Sequence, residues 1–296
     1  MPWRPDEPVE LPNGRLVCRQ HGLVVCGYCT VDYSFMDDDD DDDVDDDDDD
    51  VESLDSSDHT DGFVAIPRTG SELRVGTGGV FPTKFMPPNP NDTPKSLFPL
   101  TKSENALPPV YRFIRRNSQK TQFLVYTDGA CLDNGGANPR AGCSFVYRNS
   151  TTNPLLHGFL NFPLEKSGPT GIANLQTSNR AELRAVIAAT RFRYWLGEGC
   201  RCLVIATDSE YVVEGITKWV KNWIQKDWKT SGGTPVKNKD LWQCLLGEME
   251  RWDDRGMRIQ FWRIPRELNT EADELAKLAA DKDGPQEFED IKGVLV

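Results

Sequence analysis

The sequence predicts an α/β fold, a five-stranded mixed β-sheet flanked by helices, and three observations lead to this prediction. Two short apolar runs, QFLVYTD and RCLVIATD, each end in Thr-Asp, which is typical of buried neighbouring strands whose carboxyl ends lie side by side. A Gly-rich turn at residues 135–136 joins the first run to AGCSFVYRN and so predicts a returning strand. Segments with helical periodicity lie between the later strands. The resulting order, β-β-β-α-β-α-α-β-α, indicates a sheet with strands in both directions.

The other elements follow from their local patterns. PLLHGFLNF predicts the third strand, and SNRAELRAVIAATRFRYWL predicts a helix. One face of this helix carries Leu183, Val186, Ile187 and Thr190. Helical patterns then cover roughly residues 209–227 and 239–251. RIQFWRI predicts the fifth strand, and TEADELAKLAA predicts the last helix.

Charge divides the chain into two unlike parts. Residues 111–296 carry 26 Lys and Arg against 23 Asp and Glu, a net of +3, whereas residues 1–110 carry 8 against 24, a net of −16. Thirteen of the residues from 37 to 50 are Asp, and such a run cannot fold on itself because like charges repel. The carboxyl-terminal part is therefore mildly basic, and it alone needs to meet nucleic acid.

These differences predict four regions. Residues 1–35 are a candidate zinc-binding module, residues 36–110 an acidic and Pro/Gly-rich disordered linker, residues 111–284 the folded domain and residues 285–296 a tail. The acidic tract is either a solubilising spacer, a contact for basic proteins such as histones, or an electrostatic brake on a nucleic-acid site of the same chain.

The amino-terminal residues have no apolar core for a secretory signal, and no apolar run approaches the length that spans a membrane. We therefore expect a monomer in the nucleus or cytoplasm, with no membrane partner and with reduced cysteines. The spacing Cys18-x2-His21-x4-Cys26-x2-Cys29 supplies four zinc ligands in two close pairs. The alternative is a set of incidental reduced thiols.

Four carboxylates are candidates for a divalent metal site. Asp128 and Asp208 end two predicted neighbouring strands, where ligands bind in α/β sheets, and Glu182 and Asp273 lie in the first turns of two predicted helices. Like charges a few Å apart raise one another's pKa, and an all-oxygen site resolves this by binding Mg²⁺ or Mn²⁺. The alternative is that Asn179-x-x-Glu182 and Thr270-x-x-Asp273 are helix capping boxes.

The stretch KWVKNWIQKDWKT interleaves cations with aromatic rings, as a surface for nucleic acid does. Its candidate binding residues are Lys218, Trp219, Lys221, Trp223, Lys226, Trp228 and Lys229. The alternative is a core helix whose lysines form its solvated side.

Five motifs in this order resemble a type 1 ribonuclease H, the enzyme that cuts the RNA strand of an RNA–DNA hybrid. They are YTDGAC, TSNRAELRAVIAA, TDSEYVVEGITKWVKNWIQKDWKT, PVKNKDLW and LNTEADELAKLAA, within residues 118–283. The resemblance implies the ribonuclease H-like fold and an endonuclease that uses two Mg²⁺ (or Mn²⁺) ions and leaves 5′-phosphate and 3′-hydroxyl ends. It also implies that Asp128, Glu182, Asp208 and Asp273 are the metal-binding quartet.

The resemblance further implies how an RNA–DNA hybrid is bound. The Lys/Trp stretch matches the basic protrusion that grips the DNA strand, with Trp223, Thr230 and Ser231 at DNA-channel positions. Thr177 and Asn238 match positions that bind a DNA phosphate. The positions that contact 2′-hydroxyl groups of the RNA strand match Cys131, Asn134, Ser178 and Asn179.

One feature departs from the family pattern. Many members carry a histidine between the last strand and the last helix, but the loop IPRELNTEAD has none, and either Glu267 or Arg266 takes its space. Two other interpretations stay open: a catalytically weakened hybrid-binding protein, suggested by the missing histidine and the acidic leader, and a retroelement-derived ribonuclease H.

Overall fold

A computed structural model describes residues 73–293, apart from residues 104, 107–108, 117–119 and 149–157. Of the first 32 residues it describes short stretches only: residues 9–10, 16–19, 22, 25–26 and 31–32. These stretches include two antiparallel pairs of two-residue strands. The pairs are β1 (Val9–Glu10) with β2 (Leu16–Val17), and β3 (Val25–Cys26) with β4 (Val31–Asp32).

A mixed sheet of eight strands forms the centre of the described region. Its strands are β5 (Thr83–Lys84), β6 (Leu100–Ser103), β7 (Val110–Ile114), β8 (Gln122–Leu132), β9 (Arg140–Val146), β10 (Phe159–Pro163), β11 (Cys202–Thr207) and β12 (Arg258–Arg263). The order is β10-β9-β8-β11-β12-β5, and β7 pairs with both β6 and β8. β8, β11, β12 and β5 are parallel to one another, β9 pairs antiparallel with both β8 and β10, and β7 pairs antiparallel with both β6 and β8. All five predicted strands are therefore present, and three further strands precede them.

The two Thr-Asp strands, β8 and β11, are parallel neighbours as predicted, but β8 does not end at Asp128. Parallel pairing stops at Tyr126, opposite Ala206. β8 then continues to Leu132 as one arm of a hairpin with β9, in which Asp128 lies opposite Ser144. The carboxylate therefore lies within a strand, just beyond the last residue paired with β11.

Helices cover both faces of the sheet. They are α1 (Pro94–Leu97), α2 (Ser178–Arg191), α3 (Glu210–Glu214), α4 (Val220–Gln225), α5 (Lys239–Asp253) and α6 (Thr270–Ala280). A π-helical turn, Gly215–Trp219, joins α3 to α4. α2 ends before the predicted Leu196, because the chain folds back so that the Trp195 indole donates to the Ala189 carbonyl at 3.1 Å. In the part of the chain that the structure describes, no helix combines the length and apolar character needed to cross a membrane.

The linker prediction is wrong for the segment from residue 73 to β6. Phe85 and Phe98 are buried against Trp262, with ring centroids 4.8 and 6.3 Å from it, and they complete the core on the face of the sheet that α6 also covers. The high Pro and Gly content of this segment concealed a few widely spaced apolar anchors that have no periodicity. The acidic tract, at residues 37–50, lies outside the described residues.

The predicted tail, from residue 285, is also part of the folded domain up to residue 293. Asp290 accepts two hydrogen bonds from the buried Arg191 guanidinium, both 2.7 Å long. Phe288 lies on the guanidinium of Arg184, 4.3 Å from ring centroid to Cζ, and that guanidinium donates to the Glu289 carbonyl at 2.6 Å. Buried cations on α2 thus hold the carboxyl-terminal segment against the domain.

We expect Asp290→Ala to lower the free energy of unfolding by about 1–3 kcal/mol, because it removes a charged hydrogen-bond partner from buried Arg191. Urea denaturation measures this change. Asp283→Ala is the matched control, since Asp283 is exposed and forms no ion pair within the described part of the chain. A loss for Asp290→Ala no larger than that of the control would show that the segment contributes nothing to stability.

Candidate active site

Asp128 and Glu182 are brought together by the close crossing of β8 and α2 at Gly129. A Cβ atom on Gly129 would lie 2.1 Å from the Glu182 nitrogen and 2.4 Å from the Ala181 carbonyl carbon, closer than any side chain permits. α2 starts where the Thr177 hydroxyl accepts a hydrogen bond from the Arg180 amide at 3.2 Å. The glycine behind Asp128 is therefore needed to bring Glu182 to the strand.

Asn269 joins the last helix to the two Thr-Asp strands. Its Nδ2 donates to Asp208 Oδ1 at 2.7 Å and to the Thr127 carbonyl at 3.1 Å. Asp208 directly follows β11, and Asp273 lies in the first turn of α6. Asn269 thus places Asp273 beside the ends of β8 and β11.

The electrostatics show that the four carboxylates share one region. Burial is the largest cause of a pKa for Asp128 well above its ordinary value, and Asp208, Glu182 and Asp273 raise that pKa further. Burial also raises the pKa of Asp208, although Arg266 and the hydrogen bond from Asn269 oppose the change. The sequence-predicted quartet is therefore brought together, with Asp128 at its centre.

Each of the other three carboxylates has a protein partner. The Ser209 hydroxyl donates to Glu182, and Asn269 donates to Asp208. Asp273 forms ion pairs with Arg266 and Lys277, and each nitrogen–oxygen distance is 2.6 Å. With the side chains held in this way, no group of three or more His, Cys, Asp or Glu residues in the described region has a ready metal-binding geometry.

The donor set nevertheless fits a divalent cation. Four carboxylates meet, and the cations recorded beside them are Arg266 and Lys277, so the site carries excess negative charge. A cation of higher charge would offset both the burial and the repulsion that oppose ionisation of Asp128. Carboxylate oxygens are the ligands that Mg²⁺ and Mn²⁺ prefer.

Neither capping-box alternative is correct. The N-cap of α2 is Thr177, so Asn179 lies inside the helix and Glu182 lies beyond its first turn. α6 has Asn269 as its N-cap and no side-chain cap hydrogen bond, because the Asn269 amide points to Asp208 and Thr127 instead. The two acids are therefore free of the structural role that capping would give them.

Arg266, rather than Glu267, takes the position beside the carboxylates. Burial would lower the pKa of Arg266, but Asp208, Asp273 and Asp128 raise it above its ordinary value, so the guanidinium stays charged. Glu267 is exposed on the 3₁₀ turn Arg266–Leu268, and none of the hydrogen bonds or ion pairs of the described residues joins it to the quartet.

The lysines of the Lys/Trp stretch form an exposed surface that begins in the π-helical turn before α4 and continues beyond the end of α4. Lys218, Lys221, Lys226 and Lys229 are exposed, and Trp219 and Trp223 are half-buried with their rings 6.0 Å apart. Ser231 is exposed and Thr230 is half-buried. Trp219 and Trp223 pack against the main core, so the core-helix alternative is correct for the inner side of the stretch. Nucleic-acid binding by its exposed lysines stays a prediction.

Several side chains predicted to contact nucleic acid are buried. Cys131, Ser178 and Trp228 are 1%, 0% and 8% exposed, and Asn179 is also buried. Trp228 packs in the main core with a positive φ of 60°. Direct contact by these side chains is therefore not supported in this arrangement.

The remaining predicted contacts lie close to the start of α2. Asn134 Nδ2 donates to Ser178 Oγ at 3.0 Å, while its Oδ1 has no hydrogen-bond partner among the described residues. Asn238, in the left-handed conformation with φ 57°, accepts from Arg180 at 3.2 Å and precedes α5. Thr177 and Asn238 are thus joined through Arg180.

The predicted zinc ligands are only partly described. Cys18 is buried, and Cys26 lies in β3, whereas His21 and Cys29 fall outside the described residues. The zinc site stays a prediction.

Three residues of the site were missed by sequence reasoning: Gly129, Ser209 and Asn269. Asn269 stands directly before a helix, where an asparagine is interpreted as a cap. The only sequence signal for these positions was their adjacency to Asp128, Asp208 and the last helix.

The region of the chain that contains this site is similar to known ribonucleases H. The family model described as RNase H matches residues 120–281. The chain is 39% identical to Ribonuclease H of Hahella chejuensis over 52% of this chain and 90% of the relative. It is 37% identical to Ribonuclease H of Actinobacillus pleuropneumoniae over 53% and 89%, respectively. Among solved structures it is similar to a type 1 RNase H with the type 2 active-site motif, at 29% identity and a TM-score of 0.37, covering 54% of this chain and 72% of that one.

We expect Gly129→Ala to lower the free energy of unfolding by about 3 kcal/mol and to weaken Mg²⁺ binding, because the new methyl group forces α2 away from β8. Chemical denaturation and isothermal titration with MgCl₂ measure the two effects. Gly79→Ala is the control, since a Cβ there meets its nearest atom at an ordinary 3.7 Å. Equal behaviour of the two variants would show that the crossing tolerates a side chain.

Proposed function

Because the chain belongs to the ribonuclease H family, we propose that it is an endonuclease that hydrolyses the RNA strand of RNA–DNA hybrids. One observation carries this proposal beyond family membership: Asp128, Glu182, Asp208 and Asp273 converge from two strands and two helices. All four carboxylates that the family motifs require are thus present in one site. A hybrid-binding protein without turnover would have no need to keep this costly charge cluster.

The mechanism assigns a task to each residue. Asp128, the most central carboxylate, together with Glu182, Asp208 and Asp273, would hold two divalent cations. When bound, Mg²⁺ or Mn²⁺ supplies Lewis acidity that activates water and stabilises the leaving oxygen, giving 5′-phosphate and 3′-hydroxyl ends. Asn269 fixes the orientation of Asp208, and Ser209 fixes that of Glu182.

Arg266 acts as the internal counter-ion of Asp273. Its guanidinium is 2.6 Å from Asp273 and is attracted also by Asp208 and Asp128. It therefore limits the repulsion within the quartet and holds Asp273 in place beside the scissile phosphate. The position is the one at which many family members carry a histidine.

The lysine surface on α4 provides the binding side for the hybrid. Lysine ammonium groups attract backbone phosphates, and the half-buried Trp219 and Trp223 offer ring edges to sugars. Asn134, whose Nδ2 donates to Ser178 at the start of α2, is proposed to lie beside a 2′-hydroxyl group and so to help distinguish RNA from DNA.

For the amino-terminal segment we propose a zinc site at Cys18, His21, Cys26 and Cys29. The spacing of two close pairs supports it. The acidic tract that follows is proposed to contact basic proteins through its thirteen Asp residues.

A cleavage assay tests the proposed function directly. A labelled RNA strand paired with DNA should be cut in Mg²⁺ and left intact in EDTA, whereas a duplex of two DNA strands should bind without being cut. Comparable cutting of both duplexes would identify a general nuclease. Binding of the hybrid without cutting would identify a hybrid-binding protein.

We expect Asp128→Asn to lower hybrid cleavage about a thousandfold or more, which corresponds to about 4 kcal/mol of transition-state stabilisation, because Asp128 is central to the cation site. Single-turnover cleavage measures this loss. Hybrid binding in EDTA should be unchanged and serves as the control for folding. A variant that keeps a tenth of the wild-type rate would refute the assignment.

We expect Glu267→Ala to lower turnover less than about tenfold, because an exposed carboxylate that does not touch the quartet is not the proton carrier. Turnover at saturating hybrid and Mg²⁺ is the measurement. Arg266→Gln, which removes a charged contact to Asp273, is the comparison and should cost more than Glu267→Ala. A loss beyond about a hundredfold for Glu267→Ala would instead identify that carboxylate as a general acid or base.

A further inference from the structure

A short segment before the family-matched region is anchored on α5. We call residues 74–84 the strap. One carboxylate oxygen of Glu250 accepts hydrogen bonds from the amides of Thr77, Gly78 and Gly79 at 2.7, 2.9 and 3.1 Å, and from the Thr77 hydroxyl at 3.0 Å. Its other oxygen is 3.1 Å from Arg74. Burial would raise the pKa of Glu250, but these hydrogen bonds outweigh it and hold the pKa below its ordinary value.

Two glycines allow the strap to lie directly on α5. A Cβ on Gly76 would be 2.3 Å from the Gly247 nitrogen, and a Cβ on Gly247 would be 1.9 Å from the Arg74 carbonyl oxygen. The Gly76 amide donates to the Gln243 carbonyl at 2.8 Å. The strap is therefore built into the surface of the helix rather than laid loosely over it.

Beyond this anchor the strap contacts the helices that carry the lysine surface. Gly78 lies against Ile224 of α4, where a Cβ would be 2.5 Å from the isoleucine Cδ1. Lys221 Nζ lies 4.9 Å from the centre of the Phe81 ring. The strap therefore contacts α4 at the half-buried Ile224 and at the exposed Lys221.

The last residue of the strap, Lys84, contacts the carboxyl-terminal end of α3. Lys84 forms an ion pair with Glu214, the last residue of α3, and Glu214 also binds Lys218 at 2.7 Å. The strap thus contacts residues on both sides of the π-helical turn that joins α3 to α4: Glu214 before it, and Lys221 and Ile224 after it.

The basic helix is interrupted by irregular hydrogen bonding. α4 is the last part of a continuous helical segment, residues 210–225, that contains the π-helical turn, and Asp227 and Trp228 behind it both adopt positive φ. π-helical geometry is rare and less favourable than α-helical geometry. Packing from outside therefore helps to hold this segment and its lysines in one arrangement.

We propose that the strap positions the basic helix and thereby sets the affinity for the hybrid, with Glu250 as its anchor and Phe81 as its contact to Lys221. The inference rests on the proposed function, since it requires that α4 binds the hybrid. Holding the lysines in place before binding removes part of the ordering cost that association would otherwise incur. The strap touches none of the four carboxylates in the described contacts, so it acts on binding and leaves the chemical step alone.

The first test is Glu250→Gln in the full chain. The change keeps the shape of the side chain and removes the negative charge to which three backbone amides donate hydrogen bonds. We therefore expect KM and the dissociation constant for the hybrid to rise about fivefold, with kcat unchanged. Amide hydrogen exchange of residues 216–227 should become faster. The matched control is Asp290→Asn, which weakens the ion pair between the carboxyl-terminal segment and Arg191 of α2. This variant should leave KM unchanged.

The second test keeps the proposal decidable if Glu250→Gln does not fold. Phe81→Leu retains an apolar side chain but removes the ring that Lys221 contacts, and we expect the dissociation constant to rise about threefold. In the background of Lys221→Ala the same change should have no further effect on the dissociation constant, because its target is gone. Additive effects of the two changes would overturn the role assigned to Phe81.

The outcomes separate the strap from the proposed function. If the wild-type protein neither binds nor cuts the hybrid, the proposed function fails, and hydrogen exchange alone still tests whether the strap orders α4. If the wild-type protein binds and cuts while Glu250→Gln and Phe81→Leu keep its KM, the function stands and the inference is refuted. An equal rise of KM in Asp290→Asn would show general loosening and would refute it as well.

Discussion

Burying Asp128 beside Asp208, Glu182 and Asp273 costs free energy, since both the loss of solvent and the repulsion of like charges oppose its ionisation. Specific contacts of the fold hold the carboxylates together against this cost. Gly129 lets α2 cross β8 without a side chain between them, and Asn269 bridges β8 and β11 to the last helix. A cation held by the four carboxylates would turn the same repulsion into binding energy, which is the physical basis of the metal-binding role proposed for the cluster.

Other buried acids of the domain are arranged differently. Glu165 forms an ion pair with Arg184, Glu198 with Arg112 and Glu248 with Arg191, and the half-buried Asp240 pairs with Arg180 in the same way. Removing one partner of such a pair strands a buried charge, so these pairs hold α2, α5 and the carboxyl-terminal segment in fixed positions. The quartet has less matching positive charge than these pairs have, and this contrast marks it out within one chain.

The segment before the family-matched region has two structural roles. Phe85 and Phe98 close the core over Trp262, and the strap lies on α5 and contacts the unit that bears the lysines. The carboxylates proposed to be catalytic and the lysines proposed to bind the hybrid are therefore supported by different parts of the chain. If these roles hold, the affinity for nucleic acid and the rate of the chemical step can change independently.

The sequence by itself determined the features that depend on neighbouring residues. Short apolar runs and a Gly-rich turn predicted the five strands, and helical periodicity predicted the main helices. The repeated Thr-Asp ending predicted that Asp128 and Asp208 would meet, because parallel strands place equivalent residues at one edge of the sheet. The exposure of Lys221 and Lys226 also followed from their place on an amphipathic stretch.

Only the tertiary structure decided the features that depend on contacts far apart in the chain. Asp128 lies within β8 because β8 stays paired with β9 beyond the point where its pairing with β11 ends. Trp228 is buried because its positive φ turns the chain back onto the core. Asn269 bonds Asp208 instead of capping its own helix, since the strand end offers a charged acceptor. Phe85 and Phe98 looked like linker residues because their burial requires Trp262, which lies more than a hundred residues further along the chain. Local patterns carry no information about such partners.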